Sequence, residues 1–464
     1  VSKSRFIPIV SAVLLVAACS SSATPAPTQA PATQAPATQA AATPVPTAAF
    51  GKCDGGKLTV WAMPGSFSDA TATALITEFE NNHPGCVVNY QVQQWNGIVQ
   101  KLTTALASNN PPDVFEIGNT DAITFEAAGV LADLSSYREQ MGGGTSADGN
   151  SPDELWLGSL NDASVYQGKT YAVPFYAGTR EIIYRADLFQ KSGIDPATIT
   201  SKAALIAAAQ KLQADNANVK DFSGLYLPGQ NWYALIQMIW DEGGQIATQD
   251  ASGKWTATLD DPNSQKGIQD YTDYFKAGNT ATPGSDEATP PEWTVFQQGK
   301  VGMMIANGWE AGLVVGTSGA VTDAAQIDVM PIPSVNDGKT VPVFLGGSVL
   351  GVAKNSKSVQ AAVDFIAELS TPQGQNMMIG ESWIPSLKLY AANIPTLPTA
   401  ANKALRVQAS EAAAGSNFTP NAKGWAAVEA NNPLKAMLTA VLTGTPIDQA
   451  AKDANTKINA VING

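Results

Sequence analysis

The chain has 464 residues, with 27 Lys plus Arg against 40 Asp plus Glu, a formal charge of -13, and only 14% charged residues. That balance excludes a binder of nucleic-acid backbones, which needs a basic patch to displace counterions. The 10 Trp, 11 Tyr and 14 Phe suit a neutral, hydroxyl-rich ligand laid against aromatic faces, although most aromatics of a globular chain serve its core.

Lys3 and Arg5 precede an apolar run from Phe6 to Ala18, shorter than the about 20 residues that a membrane span needs. Residues 1–18 therefore read as a secretory signal peptide. Val16, Ala17, Ala18 and Cys19 resemble a bacterial lipobox, in which small residues precede a cysteine that carries diacylglycerol. The resemblance implies an exported protein, lipid-anchored through Cys19 at the outer face of the cytoplasmic membrane; an ordinary signal peptide with a chance cysteine is the alternative. Residues 19–49, with the repeat "APTQAPATQAPATQAA" and no charge, are too poor in apolar surface to offset their chain entropy and are expected to form a disordered, proline-stiffened stalk.

About 410 residues remain, enough for two lobes or one large enzyme domain. Lys57 to Met63 predicts a buried strand, "TATALITEFENNHPG" a helix, "CVVNYQV" a strand, "WNGIVQKLTTALASNN" a helix and "PDVFEIG" a third strand. Two βα units and a following strand imply an α/β lobe with a parallel sheet. Ligands of such sheets sit beyond the carboxyl ends of the strands, which directs attention to Pro64–Asp69, Gln93–Asn96 and Gly118–Asp121. Cys53 precedes the first strand and Cys86 opens the second. If these strands are parallel neighbours, both cysteines lie at one sheet end, where an oxidising compartment permits a disulfide; two free thiols are the alternative. Further on, "TYAVPFY" and "REIIYRA" read as strands flanking a glycine turn, and helices are expected over 201–214, 231–242 and 264–277. "AAQIDVMPIPS" and "PVFLGGSVLGVAK" read as strands, and "SVQAAVDFIAELSTPQGQ" and the tail from Trp425 as helical.

The stretches "KLTVWAMPGS", "VQKLTTALASNNPPDVFEIGN", "YQGKTYAVPFYAGTREIIYRADLFQKSGI", "FQQGKVGMMIANGWE" and "LGGSVLGVAKNSKSVQAAVDFI", in this order, resemble the extracellular solute-binding proteins of bacterial ABC importers, in the carbohydrate-binding family that includes maltose-binding protein. The resemblance implies a two-lobed α/β fold of the type II periplasmic-binding class, with a hinge of crossing strands and a sugar in the cleft. Lobe one would comprise residues 50–173 and 328–371, lobe two 174–327 and 372–464, with crossings near Pro174 and Asp328. A monomer without cofactor or metal is expected, served by two membrane permease domains and a cytoplasmic ATPase.

A sugar site needs flat aromatic faces for the C–H side of the pyranose and planar polar groups for its hydroxyl edge. Candidates from lobe one are Ser66 and Phe67 after the first strand, Trp95 at the second helix, and Asn119, Thr120 and Asp121 after the third strand. From lobe two they are Tyr176, Arg180, Trp232, Trp309 with Glu310, Trp383 and Trp425, with Ser348 near the crossing. Each has a plainer reading: Trp309 beside a glycine as core filling, Arg180 as a structural ion pair, Asp121 as a helix cap and Trp425 as packing under the C-terminal helices.

The main rival is an exported glycoside hydrolase, which requires two carboxyl groups across the scissile bond. The adjacent pairs Asp241–Glu242 and Asp260–Asp261 are expected to diverge on a solvated face. A sugar receptor with no importer is the other alternative. There is no G-x-S-x-G elbow and no P-loop pattern. The single histidine, His83, sits at a helix end and is expected at the surface, which leaves a transition-metal site unsupported.

Overall fold

The computed structural model describes residues 50–148, 153–336, 339 and 341–464; the expected signal peptide, Cys19 and the stalk lie outside the described residues. Strand β1 (Lys57–Ala62), helix α1 (Asp69–Asn82), strand β2 (Val87–Val92), helix α2 (Ile98–Leu106) and strand β3 (Val114–Gly118) follow one another as the hydrophobic periods require. Alternate residues Leu58, Val60 and Ala62 of β1 point inward. Helix α1 buries Ala72, Leu75 and Phe79, and α2 buries Ile98, Leu102 and Leu106 at a strict four-residue interval. The Ser68 hydroxyl caps α1 by accepting from the Thr71 N–H at 3.3 Å.

Strand β4 (Ala172–Gly178) belongs to this first sheet, and after Thr179 alone the chain enters β5 (Arg180–Arg185) of a second sheet. Helix α3 (Trp232–Asp241), strands β6 (Ser223–Tyr226), β7 (Val301–Asn307) and β8 (Ile327–Met330), and helix α4 (Pro262–Lys276) build the second body. The chain then returns to the first sheet with β9 (Gly346–Val352), helix α5 (Val359–Leu369) and the short β10 (Ile384–Pro385), and ends through helices α6 (Ala400–Ala414) and α7 (Trp425–Asn431) and two further helices. The first sheet has the order β10-β4-β9-β3-β1-β2 and the second β8-β5-β7-β6. Strands β1, β2 and β3 are parallel, whereas β9 runs antiparallel to both β3 and β4.

Strand pairing locates the passages between the sheets. Pro174 pairs with Val349 inside the first sheet and Asp328 with Tyr184 inside the second, so the chain changes sheets at Thr179 and again between Met330 and Gly346. At the first passage the Thr179 N–H donates to Gln408 Oε1 at 2.8 Å, and the Thr179 hydroxyl donates to Glu411 Oε2 at 3.4 Å. Glu181 lies alongside, wholly buried, with both carboxyl oxygens lacking a hydrogen-bond partner. Burial, then the neighbouring Glu411 and Asp328, push its pKa well above the usual range, and burial raises Glu411 to about 8.

Cys53 and Cys86 are joined with a Cα–Cα distance of 5.5 Å across a separation of 33 residues, beneath the parallel pair Lys57 and Val87. Closing that loop contributes about 3 to 4 kcal/mol in the chain-entropy picture. The expected surface position of His83 is corrected: it is buried, stacked on Phe79 with 3.9 Å between ring centroids, and its Nε2 lies 3.1 Å from Asp364 of α5. A partner from a helix 281 residues away outweighs the exposure that a helix-terminal motif suggests.

The protonated form of Glu411 suits the fold, so between pH about 4.5 and about 8 the folded state binds more protons than the unfolded one. The contribution of this group is therefore greatest below the lower value, falls as pH rises through the interval, and is level above it. Glu411→Gln is expected to raise the unfolding free energy at pH 8 by at least about 1 kcal/mol and to change it less at pH 4.5, as read from urea midpoints. An unaltered pH slope would overturn the assignment.

Candidate functional site

The register of the first sheet aligns Gly118 of β3, Ser348 of β9 and Tyr176 of β4 in one row. In the second sheet Arg180, at the start of β5, stands opposite Asn307 at the end of β7. Because only Thr179 separates the sheets here, these strand ends meet around a cavity of about 370 Å³. Trp95, Asn119, Thr120, Asp121, Tyr176 and Ser348 line it, as do Arg180, Trp309 and Trp383. Gly347 permits the close approach of β9 to β4: with φ +152°, a Cβ there would fall 2.2 Å from the Tyr176 carbonyl oxygen.

The aromatic wall is formed by Trp383 stacked on Tyr176 at 4.2 Å and 23°, with Trp309 6.4 Å from Trp383 and tilted by 54°. The Tyr176 hydroxyl is held from below: it donates to Glu116 Oε1 at 3.2 Å and accepts from the Ser348 hydroxyl at 3.2 Å. Glu116, whose pKa burial raises against several hydrogen bonds, also accepts from the Met63 N–H and from Ser66. Asn119 donates through Nδ2 to the Leu345 carbonyl at 2.7 Å and so ties the loop after β3 to the strand that follows the second crossing.

Polar groups line the same cavity. Arg180 donates through Nε and Nη2 to Glu287 Oε1 at 3.0 and 2.5 Å, and its guanidinium lies 4.4 Å above the centre of the Tyr233 ring. The Tyr233 hydroxyl donates to Glu429 Oε1 at 2.9 Å. Asp121 is pushed up to about 7, by burial and then by the neighbouring Glu429. Burial likewise raises Glu429, against hydrogen bonds that include those from Thr120 and Tyr233.

Five of the sequence candidates stand outside the cavity lining. Ser66 lies beneath it and donates to Glu116 Oε1 at 2.6 Å; Phe67 packs on Phe175 at 4.9 Å. Trp232 stacks behind Tyr233, with Trp425 behind it in turn. Glu310 turns back as a capping box on Asn307. The lining residues absent from the sequence candidates are Tyr233, Asn307, Phe344 and Glu429, along with glycines of the strand ends. Glu429 lies one helical turn beyond Trp425, so periodicity carries a signal for it, whereas Tyr233, next to Trp232 in the first turn of α3, points to a different side of the helix.

The adjacent acidic pairs serve local structure. Asp241 accepts from Ser334 and from the Val335 N–H at 2.6 and 2.7 Å, Asp261 caps α4, and Asp260 accepts from Asn455. Among the described residues no group of three or more His, Cys, Asp or Glu is placed to hold a metal ion, and no helix is long and apolar enough to cross a membrane.

Two α/β sheets linked by crossing strands, with an aromatic-walled cavity at their junction, define a binding protein of the type II periplasmic class. The family model described as bacterial extracellular solute-binding protein matches residues 65–376. The chain is 34% identical over 410 residues to the diacetylchitobiose binding protein DasA of Streptomyces coelicolor, covering 87% of this chain and 89% of that protein. Its fold matches the sugar-binding protein MalE of Xanthomonas citri with a TM-score of 0.72 at 20% identity, over 88% of this chain and 97% of the other. It also matches the GacH receptor of Streptomyces glaucescens, solved unliganded and with acarbose, with a TM-score of 0.67 at 24% identity, over 88% and 98%. The chain belongs to the bacterial extracellular solute-binding protein family.

Arg180 is buried, and the Glu287 side chain is 21% exposed. Glu287→Gln strands the guanidinium without its counter-charge and is expected to cost about 2 to 3 kcal/mol, less than a fully buried pair because Glu287 reaches solvent. Urea unfolding checks this; an unchanged midpoint would show that the pair contributes nothing.

Proposed function

We propose that the protein captures a sugar or short oligosaccharide in the cavity between its two sheets and hands it, chemically unchanged, to the permease of an ABC importer. The observation that carries this reading is the corner made by Tyr176, Trp383 and Trp309 in a cavity that Asn307, Asp121 and Glu429 also line with amide and carboxyl groups. It offers a flat apolar face and a hydrogen-bonding edge at once, as a pyranose requires. A volume of about 370 Å³ lies at the small end of ligand pockets, roughly 300 to 1,000 Å³, and suits one or two rings. The names of the relatives support the same ligand class: DasA is a diacetylchitobiose binding protein and the GacH receptor was solved with acarbose.

Thr179 and the segment after Met330 serve as the hinge in this reading, and ligand shifts the population of open and closed forms. Lobe one then holds most of residues 50–178 with the return through β9 and α5, and lobe two the second sheet and the C-terminal helices. The protein works as a monomer, anchored by lipid on Cys19 and reaching two permease domains and their ATPase on its stalk.

A thermal-shift screen of mono-, di- and oligosaccharides, with phosphate and polyamines as controls, tests the cargo, since a ligand of the folded state raises the midpoint. One sugar class is expected to give a saturable shift and to be recovered uncut, and Trp383→Ala or Trp309→Ala to weaken it by about tenfold. Cleavage products would turn the Asp121 and Glu429 carboxyls into a hydrolase pair, and a response to controls alone would overturn the carbohydrate reading. Cys19→Ala is expected to release the protein from cell membranes into the medium; continued retention would overturn the lipid anchor.

A further inference from the structure

The charge around the cavity is one-sided. Arg180 is the single Lys or Arg side chain among its lining residues, and both of its donors to Glu287 are engaged. Glu292 and Glu310 act on the same guanidinium, and each keeps one buried oxygen without a hydrogen-bond partner. At the cavity Asp121 makes no hydrogen bond through its carboxylate among the described residues, and Glu429, held by Tyr233, Thr120 and Trp425, keeps its buried Oε2 without a partner among them. Asp121 and Glu429 reach the cavity from different elements, the turn after β3 and helix α7. They stand close enough for Glu429 to hold the Asp121 carboxyl up, and Lys435 acts on Glu429 from outside the lining.

Two unengaged carboxyl edges with no uncommitted cation exclude phosphorylated and uronate sugars, whose charge would meet Asp121 and Glu429 with nothing to offset it. A neutral sugar fills only the hydrogen-bonding demand, whereas a sugar bearing a protonated amine also relieves the repulsion between the two carboxyls. Resting on the carbohydrate reading above, we propose that Asp121 and Glu429 form an ammonium-selecting pair, so that among sugars of one size and linkage this protein prefers one with a free amino group. The aromatic corner sets the ring plane, and the pair reads the ring substituent that projects away from it.

Three β-1,4-linked disaccharides isolate that substituent: cellobiose carries hydroxyl at C2, diacetylchitobiose acetamide, and chitobiose a protonated amine. Isothermal titration of the purified protein at pH 7 is expected to give chitobiose at least about a tenfold advantage over both others, as a charge-assisted contact supplies. Asp121→Asn and Glu429→Gln are each expected to bring chitobiose to within about threefold of cellobiose. Equal binding of the three, or preference for diacetylchitobiose or cellobiose, would overturn the pair while leaving the sugar site intact. So would a selective chitobiose response that survives both substitutions, or binding of some other neutral sugar alone. Silence toward every sugar would overturn the carbohydrate reading and the pair with it.

Discussion

One peptide unit, Thr179, carries the chain from the first sheet to the second, and the geometry of the cavity depends on it. Gly178 and Arg180, its two neighbours, both line the cavity, so the ends of two sheets are brought into register with no loop between them. The N–H of Thr179 is not free to solvent but bonds Gln408 of α6. A buried amide left unpaired would cost about 1 to 3 kcal/mol, so α6 fixes where the crossing lies. The same helix presents Glu411 to the Thr179 hydroxyl, which places a poorly solvated carboxyl at the passage between the sheets.

Below the cavity a second set of contacts keeps its aromatic wall in place. Glu116 accepts from Met63, Ser66 and Tyr176, and Ser348 donates to the Tyr176 hydroxyl. These residues come from three neighbouring strands of one sheet and the loop after β1, so the Tyr176 ring on which Trp383 stacks is held by the middle of that sheet. Ser66 thus acts on the site by positioning a group that faces it. Trp232 plays the equivalent part on the other side, backing Tyr233 while Phe344 stacks on it with centroids 5.3 Å apart.

Much of this was legible in the sequence wherever it follows from period and strand ends. The order β1, α1, β2, α2, β3 was readable because inward residues recur at two and at four. Asn119, Thr120, Asp121 and Trp309 were readable because they follow the carboxyl ends of strands, and Tyr176, Arg180 and Ser348 because they lie on strands near the crossings. Trp232 and Trp425 are buried in the core, where a large indole gains most, while Tyr233 and Glu429 line the cavity. Phe344 and the buried His83 depend on contacts between segments remote in sequence, for which no local pattern exists.

Several of the raised carboxyls lie near the cavity, while others, among them Glu126, Glu154 and Asp270, lie outside its lining. Glu181 and Glu411 gather at the crossing, Glu292 and Glu310 beside Arg180, and Asp121 and Glu429 at the cavity. Each is destabilising in isolation, since burying a carboxyl without a full set of partners is unfavourable. These six depart from the rule of burying apolar and exposing polar residues, and Asp121 and Glu429 do so at the cavity itself. A ligand that supplies donors to Asp121 and Glu429 therefore satisfies groups the protein itself leaves unsatisfied.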